Sequence, residues 1–104
     1  MFEKKLIEKV VYEQIPAEII DSIMVFGSRA KNEENEDSDT DIFIVTKVNM
    51  ERSERFTYCK KIRLAFASVL NGVDVIIEPI EEYKKFCHVA GSIENIVFME
   101  GVRI

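Results

Sequence analysis

Two short stretches decide the fold class of this chain: residues 23–31 read IMVFGSRAK, and residues 38–46 read SDTDIFIVT. Both contain a run of β-branched and aromatic residues, which is typical of a buried strand. The first run ends at Gly27, whereas the second begins directly after Asp41. We therefore predict two strands, one of which ends in a Gly-Ser turn and the other of which begins at a pair of aspartates.

The rest of the chain alternates helical patterns with one further strand. Apolar residues recur at helical spacing in two long and two short segments, which predicts amphipathic helices. The predicted strands cover residues 23–26, 41–47 and 73–78, and the predicted helices cover residues 2–14, 51–70, 80–87 and 92–100. In the longest helix, one apolar stripe consists of Cys59, Ile62, Ala65, Phe66 and Val69. We expect a single α/β domain over residues 1–104, in which helices flank a small β-sheet.

Length and charge exclude several classes of protein. A chain of 104 residues allows one domain, and a hydrophobic content of 47% supplies a packed core. The net charge of −5 argues against broad electrostatic capture of nucleic acid. No apolar run approaches the ~18–20 residues of a membrane span, and Glu8 and Lys9 interrupt any secretory core near the N-terminus. We therefore expect neither a membrane nor nucleic acid in general as a partner.

The cysteines and the histidine offer little chemistry. Cys59 and Cys87 lie in apolar helical contexts and form no Cys-x-x-Cys pair. We interpret them as reduced, part-buried thiols, as expected of a cytoplasmic protein. His88 is the only histidine, which argues against a His-rich metal site or a Ser-His-Asp triad.

The Gly27-Ser28 turn is a candidate phosphate site. A glycine after a strand lets the backbone approach a ligand closely, and Ser28 can cap a helix that begins at Arg29. The N-terminus of such a helix offers free N–H groups and a positive dipole end, which suit a phosphate. Taken alone, the same two residues usually form only an ordinary turn.

Three aspartates are candidate metal ligands. Asp39 and Asp41 are two residues apart at the start of a strand, so their side chains leave the same face. Two-metal sites hold their ions ~3.5–4 Å apart, a spacing that such a pair suits. Asp74 lies inside a β-branched run, where burial would be costly without a partner, a hydrogen bond or a metal. The alternatives are a solvated acidic loop that ends at Asp39 and an exposed edge position for Asp74.

Two common ligand-binding motifs are excluded. Residues 37, 39 and 41 match the first, third and fifth positions of an EF-hand, but that motif requires glycine where Ile42 stands and glutamate where Val48 stands. The turn at Gly27 lacks the Gly-Lys-Ser/Thr ending of a P-loop.

The combination of features resembles a known signature. Gly27-Ser28, an Asp39-x-Asp41 pair and a third aspartate on a later strand resemble the nucleotidyltransferase superfamily related to DNA polymerase β. Within it, the chain looks like the minimal nucleotidyltransferase (MNT) family, antitoxins that are paired with HEPN toxins. The resemblance implies a small mixed β-sheet flanked by helices, an α+β arrangement.

The resemblance also implies roles for individual residues. Gly27 and Ser28 would hold the β- and γ-phosphates of a nucleotide, with Arg29 or Lys31 assisting. Catalysis and the binding of two Mg²⁺ ions would fall to Asp39, Asp41 and Asp74. Because nucleotidyl transfer is mostly positioning and charge neutralisation, an acidic protein can bind an acidic substrate through these ions.

The function implied is Mg²⁺-dependent transfer of AMP from ATP to a hydroxyl, with tyrosine the leading candidate, on a HEPN-type toxin. Because the chain has no room for an acceptor-holding domain, we expect a partner chain or a homodimer to complete the site. An alternative is a non-catalytic antitoxin that masks its partner, with an interface formed by Ile93, Ile96, Val97, Phe98 and Met99. Transfer to a small molecule is disfavoured, since no second domain builds an acceptor pocket.

Overall fold

The computed structural model describes residues 4–27, 40–67, 69 and 72–104. Its four helices are α1 (Lys4–Gln14), α2 (Arg52–Phe66), α3 (Ile80–Phe86) and α4 (Ile93–Glu100), and a 3-10 turn covers Ala17–Ile19. Its strands are β1 (Ile20–Phe26), β2 (Thr40–Thr46), β3 (Val73–Pro79) and β4 (Val102–Arg103). The predicted loop over residues 32–38 lies outside the described residues.

The strands form one mixed sheet in the order β3-β2-β1-β4. β1 pairs antiparallel with β2 and β4, whereas β2 and β3 run parallel. A parallel pair needs a crossover connection, and α2 lies within the segment that supplies it. The mixed sheet with its flanking helices confirms the expected α+β class.

The two faces of the sheet pack against different helices. On one face, alternate strand residues join the main core with side chains of α1 and α2; this core includes Val11, Ile23, Val25, Ile42, Ile44, Ile62, Phe66, Val75 and Ile77. On the other face, a smaller cluster is formed by Met24, Phe26, Phe43, Val45 and Val97, with Tyr83 packed against it. We call this second face, which is covered by α3 and α4, the aromatic face. The alternation follows from the period of two in a strand.

The structure differs from the sequence prediction mainly in the start of β1, the end of α2 and the presence of a fourth strand. β1 begins at Ile20 rather than Ile23, because an irregularity in its pairing with β2 accommodates the polar residues 21 and 22. α2 ends at Phe66, so Val69 lies beyond the helix and is 53% exposed; its predicted place in the buried stripe is wrong. β4 is an additional strand, held at its end by the N–H of Ile104 donating to the carbonyl of Ile23 at 3.0 Å.

The predictions for the remaining stripe and the thiols are confirmed. Ile62 and Phe66 are fully buried, and Cys59 packs at the edge of the main core. Cys59 and Cys87 are both free thiols. Among the described residues, we find no helix with the length and apolar character needed to span a bilayer.

Candidate active site

The register of the sheet brings two of the predicted site residues together. Asp41 is the second residue of β2, and it pairs with Asp74 on β3 and with Phe26 on β1. Because paired residues on neighbouring strands point to the same side of a sheet, both carboxylates leave the aromatic face. Neighbouring strands lie ~4.8 Å apart, so the two acidic side chains are immediate neighbours.

Gly27 follows β1 at the same end of the sheet. Its φ of 76° is in the left-handed region that glycine adopts without strain. A Cβ built at this position would overlap Oδ2 of Asp41. The missing side chain therefore leaves the space that the Asp41 carboxylate occupies.

Backbone pairing fixes where β2 begins. The N–H of Thr40 donates to the carbonyl of Gly72 at 2.8 Å, immediately before β3 starts. Thr40 is buried, whereas Asp41 is half-buried. This hydrogen bond holds the first residues of the two parallel strands together and so sets the register of the acidic pair.

Asp74 is exposed on β3, which is an edge strand of the sheet. The expected exposed edge position is therefore found, and the role of Asp74 as a metal ligand stays a prediction. Its position carries no burial penalty, and the carboxylate faces solvent at the end of the aromatic face. Exposure also leaves it accessible to a ligand that reaches Asp41.

The acidic pair fits a divalent cation. Like charges on neighbouring strands repel one another unless a cation lies between them. Carboxylate oxygens are hard donors, the kind that Mg²⁺ prefers, and the missing side chain at Gly27 lets the Asp41 carboxylate lie at this end of the sheet. Within residues 4–27, 40–67, 69 and 72–104, no three His, Cys, Asp or Glu side chains form a metal-binding group. The third predicted ligand, Asp39, lies outside these residues.

Four of the seven predicted site residues therefore have no described position. They are Ser28, Arg29, Lys31 and Asp39. The structure brings together the other three, Gly27, Asp41 and Asp74, although their separation in sequence reaches 47 positions. Sequence reasoning assigned Gly27 to phosphate binding and missed its contact with Asp41, because that contact depends on the pairing of β1 with β2.

A row of aromatic rings supports the site. The rings of Phe26 and Phe43 meet edge to face with centroids 6.4 Å apart, and the ring of Tyr83 lies 5.6 Å from that of Phe43. Phe43 is fully buried and stands two residues after Asp41 on the same face. This row packs β1 and β2 against α3 directly beside the acidic pair. In the sequence, the two-residue spacing of Asp41 and Phe43 on a predicted strand indicates that Phe43 shares a face with the acidic pair.

Comparisons with known proteins agree with this arrangement. The family model described as polymerase beta nucleotidyltransferase matches residues 5–100. No curated protein shows significant similarity to the chain.

Several solved structures share the fold. A toxin–antitoxin structure with AMP-PNP is 19% identical at a TM-score of 0.64, with 98% of this chain and 72% of that chain covered. A candidate nucleotidyltransferase from Sulfolobus solfataricus is 22% identical at a TM-score of 0.61, with coverages of 96% and 74%. A tri-AMPylated HEPN toxin of Shewanella oneidensis in complex with its MNT antitoxin gives 19% identity and a TM-score of 0.57, with coverages of 96% and 66%.

At these sequence identities the structural neighbours show the fold alone, and the match to the family model shows the family. The match spans nearly all of the chain, including strands β1 to β3 and the helices that cover the sheet, and it ends just before β4. The chain belongs to the polymerase beta nucleotidyltransferase family and is a nucleotidyltransferase.

Proposed function

We propose that this protein transfers AMP from ATP to a hydroxyl group of a HEPN-type toxin and thereby acts as its antitoxin. The observation that carries the proposal is the pairing of Asp41 with Asp74 next to Gly27. Two structural neighbours support the proposed substrate and partner, since one contains AMP-PNP and another contains a tri-AMPylated HEPN toxin. We take a tyrosine of the toxin as the first candidate for the acceptor.

The residues near the end of β1 bind the nucleotide in this proposal. Gly27 and Ser28 hold the β- and γ-phosphates, with Arg29 or Lys31 adding positive charge. Because Gly27 has no side chain, the backbone at the end of β1 can be approached closely by a phosphate, next to the Asp41 carboxylate that borders the same position.

The three aspartates hold two Mg²⁺ ions. Asp41 and Asp74 stand side by side on the parallel strands, and Asp39 completes the set. Two Mg²⁺ ions held by these residues would supply the charge neutralisation that the triphosphate and the departing pyrophosphate need. In the reaction a bond forms between the acceptor oxygen and the α-phosphorus, while the bond from that phosphorus to the β-phosphate oxygen breaks. Asp74, which is exposed, faces the acceptor side and favours loss of the proton from the attacking hydroxyl.

The partner supplies the acceptor. We propose that residues 1–104 form one nucleotidyltransferase domain, and that the HEPN-type chain or a second copy of this chain completes the site. Because Asp74 is exposed on an edge strand, an acceptor residue of another chain can reach it. We place the complex in the cytoplasm, where the free thiols of Cys59 and Cys87 would stay reduced.

The test is a transfer assay with three components: the protein, labelled ATP with Mg²⁺, and a candidate HEPN-type partner protein. We expect label on the partner, and loss of that label with Asp41→Asn or Asp74→Asn. Glu18→Gln is the matched control, since Glu18 is exposed in the 3-10 turn outside the site and its replacement should leave labelling unchanged. Mass spectrometry of the labelled partner identifies the modified hydroxyl. A wild-type protein that labels nothing, like its aspartate variants, would contradict the proposal.

A second candidate function is neutralisation of the toxin by binding alone. The observation that favours it is the outer surface of α4: Met99 is 70% exposed and Phe98 is 48% exposed, whereas Val97 packs into the core. A variant that lacks all three aspartates separates the two functions. Neutralisation of the toxin by this variant supports masking, and its failure to neutralise while still binding supports transfer.

A further inference from the structure

A second carboxyl group on β3 lies buried at the far end of the strand from Asp74. Glu78 is only 5% exposed, although glutamate is rarely buried without a partner. It stands four residues after Asp74 on the same face, ~13 Å away along the strand. It pairs in register with Val45, under the helices that cover the aromatic face. The proposed transfer reaction makes no use of it.

Three elements present charged or titratable groups to Glu78. From α4, Glu94 forms a side-chain hydrogen bond with it. From α3, Glu82 and Tyr83 face it. From α2, Arg55 supplies the positive charge nearby, but its guanidinium already donates to Glu82 at 3.0 Å and to the carbonyl of Met50 at 3.1 Å.

The basic group is therefore engaged elsewhere, and the neighbourhood of Glu78 is acidic. Within the described part of the chain, Oε1 of Glu78 has no hydrogen-bond partner. An ionised carboxylate in this position would be buried without compensation, which is costly. Two carboxyl groups form a hydrogen bond only when one of them keeps its proton.

Burial is the main reason that the pKa of Glu78 rises to about 8, and the hydrogen bond and negative charge of Glu94 add to it. Glu82 raises the pKa further, whereas Arg55 lowers it by less than the others raise it. Glu94 lies in the first turn of α4, where the helix dipole favours a negative charge. Burial and the helix dipole therefore both favour keeping the proton on the Glu78 side of this pair.

We propose that Glu78 and Glu94 share one proton at neutral pH and that this shared proton fastens α4 to β3. Removal of the proton leaves two adjacent carboxylates, one of them buried, and weakens the attachment of α4. This proton-dependent attachment of α4 does not depend on the proposed toxin substrate, because it involves none of the residues assigned to transfer. It makes the attachment of α4 responsive to pH in the range around neutrality.

The direction of the pH dependence follows from the difference in proton affinity between the states with α4 attached and detached. When α4 is detached, Glu78 meets solvent and titrates near the ordinary pKa of a glutamate, 4.5. Between that value and about 8, the attached state binds more protons than the detached state. The opening equilibrium of α4 should therefore rise with pH, by at most about tenfold for each pH unit, and level off above pH 8.

Amide hydrogen exchange of the full chain tests this inference. Exchange rates are measured from pH 5 to pH 9, corrected for intrinsic chemistry, and the amides of α4 are compared with those of α1. We expect the protection of α4 relative to α1 to fall as the pH rises in the wild-type protein, and to stay constant in Glu78→Gln. Glu81→Gln is the matched control, since Glu81 is exposed on α3 and its removal should leave the wild-type dependence intact. A wild-type ratio that is independent of pH would overturn the proposal.

A second measurement remains informative if Glu78→Gln fails to fold. The carboxyl carbon of Glu78, observed by NMR, should titrate near pH 8 in the wild-type protein. In Glu94→Gln its midpoint should move to lower pH, because an amide at position 94 can donate a hydrogen bond to ionised Glu78 and carries no charge. An unchanged midpoint would show that the two groups do not share a proton.

Discussion

The carboxylate of Asp41 occupies the space that a side chain at Gly27 would need. A Cβ at position 27 would overlap Oδ2 of Asp41, although the two residues belong to different strand ends. The pairing of Phe26 with Asp41 produces this contact by aligning the end of β1 with the start of β2. The proposed phosphate site at Gly27 and the proposed metal site at Asp41 are therefore in direct contact.

Substitution of Gly27 by alanine should weaken metal binding more than it weakens folding. The change costs about 1–2 kcal/mol because alanine is strained at a φ of 76°, and its methyl group also displaces the Asp41 carboxylate. We expect a clear loss of Mn²⁺ affinity, measured by calorimetry with Mn²⁺ in place of Mg²⁺.

Gly91→Ala is the matched control for backbone strain. Gly91 has a φ of 87°, and a Cβ there would meet no atom within 4 Å. This variant should lose a similar free energy of unfolding and keep its Mn²⁺ affinity. Equal losses of Mn²⁺ affinity in the two variants would indicate that strain, rather than the contact with Asp41, is responsible.

Asp74→Asn should leave the free protein as stable as before or slightly more stable, and it should remove the stabilisation that Mg²⁺-ATP gives to the wild-type protein. It removes one of two like charges on neighbouring strands, which should leave the free protein unchanged or stabilise it by at most about 1 kcal/mol. A ligand at 100 times its dissociation constant stabilises a protein by about 2.7 kcal/mol. We expect Mg²⁺-ATP to raise the Tm of the wild-type protein and of Glu18→Gln, and to leave the Tm of Asp74→Asn nearly constant. A full ligand response in Asp74→Asn would exclude this residue as a ligand.

The free energy of unfolding should fall as the pH rises from about 5 to about 8. Because the pKa of Glu78 is raised to about 8 in the folded protein, its stabilising contribution is complete below pH 4.5 and is lost by about pH 8. The slope from this group is at most about 1.4 kcal/mol for each pH unit. Urea denaturation at several pH values measures it, and Glu78→Gln should remove most of the slope. A variant with the wild-type slope would assign the dependence to other groups.

Truncation of Phe66 should destabilise the protein strongly. This side chain is fully buried in the main core at the end of α2, and replacement of such a residue by alanine costs about 3–5 kcal/mol. Leu64→Ala, on the same helix but 67% exposed, should change stability by less than about 0.5 kcal/mol. Urea denaturation compares the two, and similar losses would mean that α2 presents a different face to the sheet.

Removal of the hydroxyl of Ser92 should loosen the start of α4. Its Oγ accepts a hydrogen bond from the N–H of Asn95 at 3.0 Å, which caps the helix. Alanine at such a position costs about 0.5–2 kcal/mol. Ser53→Ala is the control, because Ser53 is exposed within α2, where alanine favours the helix. Thermal unfolding should show a lower Tm for Ser92→Ala only.

Local patterns in the sequence were sufficient for most of the fold. Alternating and helical periodicities predicted the positions of β2, β3, α3 and α4 to within about two residues. The resemblance built on Gly27-Ser28 and the aspartates led to the family that the comparison with known proteins confirms. The periodic signals are short in range, whereas the resemblance combines short motifs from separate parts of the chain. The roles given to all seven site residues remain predictions, and four of these residues, Ser28, Arg29, Lys31 and Asp39, have no described position.

Tertiary structure decided what depends on pairing between distant segments. The resemblance grouped Asp74 with Asp41, but local pattern does not place the two side by side, and the parallel register of β2 and β3 is what pairs them. Val69 fits the stripe of α2 by spacing but lies beyond the helix end. Glu78 looks like an ordinary charged residue, yet the helices that cover the aromatic face bury it. Periodicity specifies which residues alternate along one strand, whereas register and coverage follow from the packing of the whole chain, which no local pattern contains.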